Sequence, residues 1–439
     1  MAENQLPKGW VYTKIEDISE SVQYGYTAKT DNLQPIKYLR ITDIQNNQVD
    51  WEKVPGCPIL EKDFERYALR SGDIVFARTG ATVGKSFLIK EVVGQSVYAS
   101  YLIRVRLINL IDGRLIRAYF DSHAYWQQIT ENSSGIGQPN VNGTKLKALI
   151  IPLPPLAEQQ RIVAKLDKLF AHLEETKTRL NKIPQLLKNF RQSVLTQAVT
   201  GKLTEDWRKE NKLPQWENGN LSEILKFKQG IQIDVELQTN ESTNGKLPFL
   251  RIINYTQKDP RFTFVDKDTY EKHNIKSNEI VMVRYGATAG FVGTGLSGVL
   301  ANNLFTITPE VELDNKLLYF ILKSPTLQNI LLGKRKGGAM PAISFKLFND
   351  ISVEYPNSTE EQKLIVQKVE FLLSKINTIE DKYSKIKETI ETLPQSILAK
   401  AFKGELVEQL PTDGDAQELL EEIKKIKAQT TKDYYERKK

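Results

Sequence analysis

The sequence has a single cysteine, Cys57, in 439 residues. A disulfide within the chain is therefore excluded, as is a metal site built from its own cysteines, and the composition suits a reducing compartment. Histidine is almost as scarce: His123, His172 and His273 are the full set, and none stands in a spacing such as HExxH. His172 is expected on the solvated outer face of a helix. No apolar run approaches the roughly 20 residues needed to cross a bilayer, and the opening MAENQLPKGW lacks the basic-then-apolar profile of a secretory leader. The chain is thus expected to be soluble and cytoplasmic, with no membrane partner. GxSxG and clustered carboxylates are missing too, and LPPL at 153–156 is not the Asn/Asp-Pro-Pro-aromatic loop of amino-methyltransferases. No catalytic site and no metal site is signalled. An excess of one charge is also slight: the net +7 permits a polyanionic partner without demanding one.

What the sequence does have is a repeat. EQQRIVAKLDKLFAHLEETKTRLNKIPQLLKNFRQSVLTQAVTGKL, Glu158 to Leu203, recurs as EQKLIVQKVEFLLSKINTIEDKYSKIKETIETLPQSILAKAFKGEL, Glu361 to Leu406, at a constant offset of 203 residues with 14 of 46 positions identical. Apolar residues fall at alternating spacings of four and three: Ile162, Leu166, Leu169, Leu173 and, past the polar Thr176, Leu180 in the first copy, and Ile365, Val369, Leu372, Ile376, Ile379 and Tyr383 in the second. That is the seam by which long helices pack on each other. Two matched helices far apart in one chain predict an antiparallel intrachain coiled coil related by an approximate two-fold axis. Pro184 and Pro394 should interrupt or kink each copy, giving a long helix followed by a shorter one, since proline removes a helical hydrogen bond.

The segments around the helices repeat as well. LPQW at 213–216 answers LPKGW at 6–10, LPFLRI answers IKYLRI with Arg251 under Arg40, SNEIVMVRYGATAGF answers SGDIVFARTGATVGK with Arg284 under Arg78, and Pro341 falls under Pro139. The strand Tyr101–Leu107 alternates Ile103, Val105 and Leu107 with Arg104 and Arg106, the period of a half-buried strand. The expected fold is α+β: two α/β globular modules separated by two long antiparallel helices. The boundaries read as module 1–150, central helical spacer 151–210, module 211–355, C-terminal helical spacer 356–410, and a helix and tail at 411–439 with no assigned role. Strands that match and loops that do not suit two readers of different versions of one kind of target; duplication followed by drift would leave the same pattern.

GATVGKS at 80–86 resembles a phosphate-binding loop but has three residues between its glycines where four are needed, and the second module has Phe291 in place of Lys85. A glycine-dependent strand-exit turn accounts for it more simply. For nucleic-acid contact the candidates are Arg78 and Lys85, Gln138 and Asn140 in the Gly/Pro-rich loop, Arg284 and Tyr285, and Lys334, Arg335 and Lys336. Arginine and amide side chains can pair with purine edges and lysines hold phosphates; each of these residues would be equally at home on a solvated or ion-paired surface.

Taken together, IPLPPLAEQQRIVAKLD at 151–167, FRQSVLTQAVTGKLTEDWR at 190–208, TEEQKLIVQKVE, QSILAKAFKGELV and the paired GDIVFARTGATVG and NEIVMVRYGATAG resemble the specificity (S) subunit of type I restriction-modification systems. The second copy departs from that pattern where IPLPPLAEQ becomes VEYPNSTEEQ. The resemblance implies a non-catalytic subunit whose modules are target recognition domains, each reading half of a split double-stranded DNA sequence. It implies helical spacers that hold those domains apart and dock two methyltransferase (M) subunits, with restriction (R) subunits joining for cleavage. It also implies no cofactor of the chain's own: S-adenosylmethionine goes to the M subunit, ATP and magnesium to the R subunit. Residues alone leave a coiled-coil adaptor that binds proteins as the alternative.

Overall fold

The computed structural model describes residues 6–45, 47–78, 82–131, 141–333 and 342–437. They fall into two compact units, Met1–Arg179 with Ile386–Lys439 and Leu180–Lys385. The first copy of the repeat forms helices α1 (Leu156–Leu180) and α2 (Ile183–Val199), and the second forms the single helix α3 (Thr359–Phe402). A fourth long helix, α4 (Ala416–Arg437), follows.

Proline acts as expected only in the first copy. Pro184 sits in the first turn of α2, where its missing N–H has no helical partner to lose. Pro394 lies inside an unbroken α3, so the expected break there is absent. Just beyond it, Leu398 and Ala401 are buried with Ile162, Val163 and Leu166 of α1. At about 1.5–3 kcal/mol for a fully buried large aliphatic side chain, that packing offsets the roughly 3 kcal/mol cost of an interior proline.

Each unit contains an antiparallel helix pair. In the first, α1 packs through Ile162 and Leu166 on the C-terminal part of α3. In the second, Val194, Leu195 and Ala198 of α2 share a core with Ile365 and Val369 of α3, Arg191 pairs with Glu380 at 3.0 Å and Lys368 donates to the Leu203 carbonyl at 2.8 Å. Those two links run in opposite senses along the helices, which sets the antiparallel direction. Of the seam residues, Leu173, Leu180 and Ile376 are buried while Leu169, Leu372 and Tyr383 are half-buried. Ile379 departs from the seam at 44% exposure. A straight helix of 3.6 residues per turn drifts by about 20° per heptad from a 3.5-residue repeat, and the stripe turns outward with it.

The module of the first unit is built on β1 (Val11–Lys14), β2 (Ser19–Tyr24), β3 (Lys37–Leu39), β4 (Ile74–Ala77), β5 (Ser86–Leu88), β6 (Ser96–Tyr98), β7 (Leu102–Leu107) and β8 (Ile150–Leu153). The main sheet is antiparallel with order β2-β7-β4-β5; β3 pairs with β6 in parallel, and β1 with β8. The second unit repeats the plan with β9 (Glu217–Asn220), β10 (Leu225–Gln229), β11 (Lys246–Leu250), β12 (Ile280–Val283), β13 (Val292–Gly293), β14 (Gly298–Leu300), β15 (Leu304–Pro309) and β16 (Ser352–Tyr355). Its main sheet has order β10-β15-β12-β13, with β11 parallel to β14 and β9 paired with β16.

The alternation in β7 predicts a half-buried strand, and the structure differs in covering both of its faces. Arg104 is buried at 2% exposure, and Arg106 grips the buried Asp73 at 2.7 Å. β7 is a central strand, so one face packs on helices through Ile103 and Val105 while the other lies under the β3–β6 layer. Arg104 donates there to the Ala68 carbonyl at 2.7 Å and lies over the face of Tyr98. Burial pushes the Tyr98 phenol up to about 12 and the Arg104 guanidinium down.

Each module is tied to its helix by the same device. The buried Glu158 accepts the Trp10 indole N–H at 2.8 Å, and the buried Glu361 accepts that of Trp216 at 3.1 Å. The following glutamines, Gln159 and Gln362, donate to the Pro154 and Pro356 carbonyls at 2.9 and 2.8 Å, so they hold the turn into the helix. Ion pairs recur as well, Arg114 with Asp167 and Lys316 with Glu370. The unassigned C-terminal helix α4 packs Leu419, Leu420 and Ile423 into the core of the first module, and the Lys427 amine reaches the Glu16 carbonyl at 2.6 Å.

Candidate nucleic-acid interface

The two recurring arginines follow equivalent strands, Arg78 after β4 and Arg284 after β12. Their backbones are held identically. Arg78 N–H donates to the Tyr101 carbonyl at 3.0 Å and Arg284 N–H to that of Asn303 at 2.8 Å; their own carbonyls accept from Val141 and Ile343 at 3.3 and 2.8 Å. The side chains are placed differently. Arg78 lies over the Tyr24 ring, 5.0 Å from its centroid. Arg284 donates to the Gln229 side chain and lies between the rings of Tyr285 and Phe345, at 4.9 and 5.0 Å. Each is half-buried, with its Nε unpartnered among the described residues.

Tyr24 and Gln229 occupy the same place in the scaffold. Each ends its strand just before a glycine, Gly25 or Gly230, where the chain leaves the main sheet for the second layer. A Cβ on either glycine would lie 2.2 Å from a carbonyl oxygen, of Ala99 or Ala301. No side chain fits there. Matching bridges, Tyr26 with Ala99 and Ile231 with Ala301, together with the arginine backbone bonds, align Thr27 with Gln232, Ser100 with Asn302 and Tyr101 with Asn303. Tyr24 is 39% exposed, and its hydroxyl accepts from the Gly143 N–H at 2.9 Å.

Lys85 is exposed on the turn joining β4 to β5, where Gly84 has φ +79° and Gly290 of the second module φ +91°. After this turn the chain returns antiparallel to β4, Ser86 opposite Phe76, whereas a phosphate cradle opens a helix. The Tyr125 hydroxyl donates to the Gly84 carbonyl at 2.6 Å and steadies the turn. Tyr285 is partly exposed and bridges to Ala342. Gln138, Asn140, Lys334, Arg335 and Lys336 lie outside the described residues. Arg40 is bound to Asp43 at 2.7 Å, while Arg251 bonds Thr263 at 3.1 Å. Among the described residues no cluster of three or more His, Cys, Asp or Glu could hold a metal ion.

Reading the sequence missed Gln229, Gln232, Asn302 and Asn303. The amides cohere around Arg284: Gln229 donates to the Asn302 carbonyl at 2.9 Å, and Asn302 to the Gln232 side chain at 3.1 Å. The one sequence signal was the glycine shared by QYGYT and KQGIQ.

The sequence matches the family described as type I restriction modification DNA specificity domain over residues 7–185 and 214–388. It is 31% identical to the type I restriction enzyme EcoKI specificity subunit of Escherichia coli K12, over 98% of this chain and 97% of that one. It is 27% identical to the StySPI specificity subunit of Salmonella potsdam, again over 98% and 97%. The fold is similar to that of the HsdS subunit from Thermoanaerobacter tengcongensis, with a TM-score of 0.65 at 18% identity over 92% of this chain and 99% of that one.

Proposed function

Because this chain belongs to the family of type I restriction-modification specificity subunits, we propose that each of its modules reads one block of a bipartite, asymmetric double-stranded DNA target. In this reading α1, α2 and α3 set the interval between the blocks and dock two methyltransferase subunits, and restriction subunits join for cleavage. The chain itself is non-catalytic and works in the cytoplasm, where the DNA is. S-adenosylmethionine is held by the methyltransferase partner, ATP and magnesium by the restriction partner. Among the described residues no helix is long and apolar enough to cross a membrane.

One observation carries the reading. Two scaffolds whose main sheets share one strand order keep an arginine at the same exit, Arg78 and Arg284, yet surround it with different side chains. A common frame with altered contacts serves two readers of different sequences, and two unlike readers in one chain make the target asymmetric. Lys85 and the other loop cations would hold phosphates, which position the protein without specifying sequence.

The test is exchange of residues 211–355 for the equivalent module of another family member, in cells that also carry the methyltransferase subunit, followed by a map of adenine methylation. One block should change and the other stay. Arg284→Ala should weaken binding of the assembled complex to its target by about 1–3 kcal/mol if that side chain reads a guanine edge. A complex that binds and methylates no DNA would return the chain to the adaptor reading.

A further inference from the structure

Resting on that reading, the structure also narrows which side chains of the second module do the reading. Around Arg284 the exposed surface carries amides where the first module carries hydroxyls: Gln229 for Tyr24, Gln232 for Thr27, Asn302 for Ser100 and Asn303 for Tyr101. The backbone hydrogen bonds that fix these positions are shared by the two modules, so the substitution is one of chemistry on a constant frame.

The amides are not equally committed. Gln229 is used at both ends, accepting from Arg284 and donating to the Asn302 carbonyl. It is a support. Gln232 uses its carbonyl for the Asn302 amide and keeps its own NH2 for another partner. Asn303 makes no side-chain hydrogen bond among the described residues. Gln232, Asn302 and Asn303 border a concavity of about 350 Å³ with Arg251, floored by Phe249 and Ile252. Asn303 with its whole amide, and Gln232 with its NH2 and the second lone pair of its carbonyl, each still offer donor and acceptor together, the pattern that pairs with N6 and N7 of adenine in the major groove.

We propose that Gln232 and Asn303 are the adenine-reading side chains of the second module, and that the Gln229 side chain and the Arg284 backbone position them. The first module has no amide at any of these four positions. It therefore reads its block without this contact, through Arg78 and the aromatic pair Tyr24 and Tyr101.

The experiment uses the full chain assembled with its methyltransferase subunit. Gln232→Ala, Asn303→Ala and the cross-module change Asn303→Tyr are compared with the unsubstituted chain by methylation mapping and by binding to its own target. Each alanine variant should lose about 5- to 150-fold in affinity, the equivalent of one paired base contact. One A·T position in the second block should become degenerate while the first block stays strict, which also shows that the subunit is folded and assembled. Three results would overturn the proposal: a second block read as strictly as before, degeneracy in the first block, or an equal loss on all sequences with a shallower salt dependence, the mark of a phosphate contact. If the unsubstituted complex methylates nothing, the functional reading itself falls and takes the proposal with it.

Discussion

Glu158 and Glu361 stand at the same point of the repeat, both buried, both accepting an indole N–H, yet their surroundings are unequal. Glu361 also accepts from Thr204 at 2.7 Å and from Arg208 at 3.3 Å, so its charge is met by a cation inside the same core. At the base of the first module the neighbouring arginine, Arg161, is engaged by Asp413 and reaches the Glu408 carbonyl at 3.0 Å. Burial outweighs the Trp10 bond and raises the Glu158 pKa above its usual 4.5. The same residue is therefore half of an ion pair in one unit and an incompletely compensated acid in the other. Identity at a repeated position does not carry the energetics with it, because a buried charge takes its value from its partners.

The largest effect should come from breaking the compensated side. Glu361→Gln leaves Arg208 facing a neutral amide in a site that excludes most water, and removing one member of a buried pair costs about 3–5 kcal/mol. Hydrogen-exchange protection of the second unit, measured on the full chain, should fall by that amount while the first unit is unchanged. A loss below about 1 kcal/mol would show the pair to be solvent-screened.

The two prolines sharpen the comparison next. Pro394→Ala restores a hydrogen bond inside α3 and should stabilise the first unit by about 1–3 kcal/mol, up to the usual penalty of an interior proline. Pro184→Ala, at a first-turn position, should change stability by about 0.5 kcal/mol or less. Equal effects in a denaturant titration would mean that packing beyond Pro394 does not carry the cost assigned to it.

A smaller effect than that of Glu361→Gln should come from Glu158→Gln, and it should depend on pH. An acid whose pKa is raised on folding contributes its stability below the ordinary carboxylate value, and that contribution is lost as pH rises through the folded value. The substituted chain should match the parent near pH 4 and exceed it by about 1 kcal/mol at pH 8, the scale of a poorly compensated buried polar group. An advantage for glutamate at pH 8 would mean that Glu158 has a full cationic partner after all.

What the sequence determined by itself was everything carried by local period and by repetition. The heptads of Glu158–Leu203 and Glu361–Leu406 placed the long helices, the duplicated SGDIVFARTG and SNEIVMVRYG runs placed equivalent strands in two modules, and the glycines after Arg78 and Arg284 placed the turns. These follow from the steric rules of a few adjacent residues. Tertiary structure decided the rest. Arg104 is buried because β7 is a central strand, α3 runs through Pro394 because Leu398 and Ala401 find partners on α1, and α4 has a role because the first module leaves an apolar face for Leu419 and Ile423. The cluster of Gln229, Gln232, Asn302 and Asn303 was likewise out of reach, since its members lie in two stretches some seventy residues apart, Asn302 bonding Gln232 across 70 positions. Strand register brings them together, and register is set by which faces the whole core can bury.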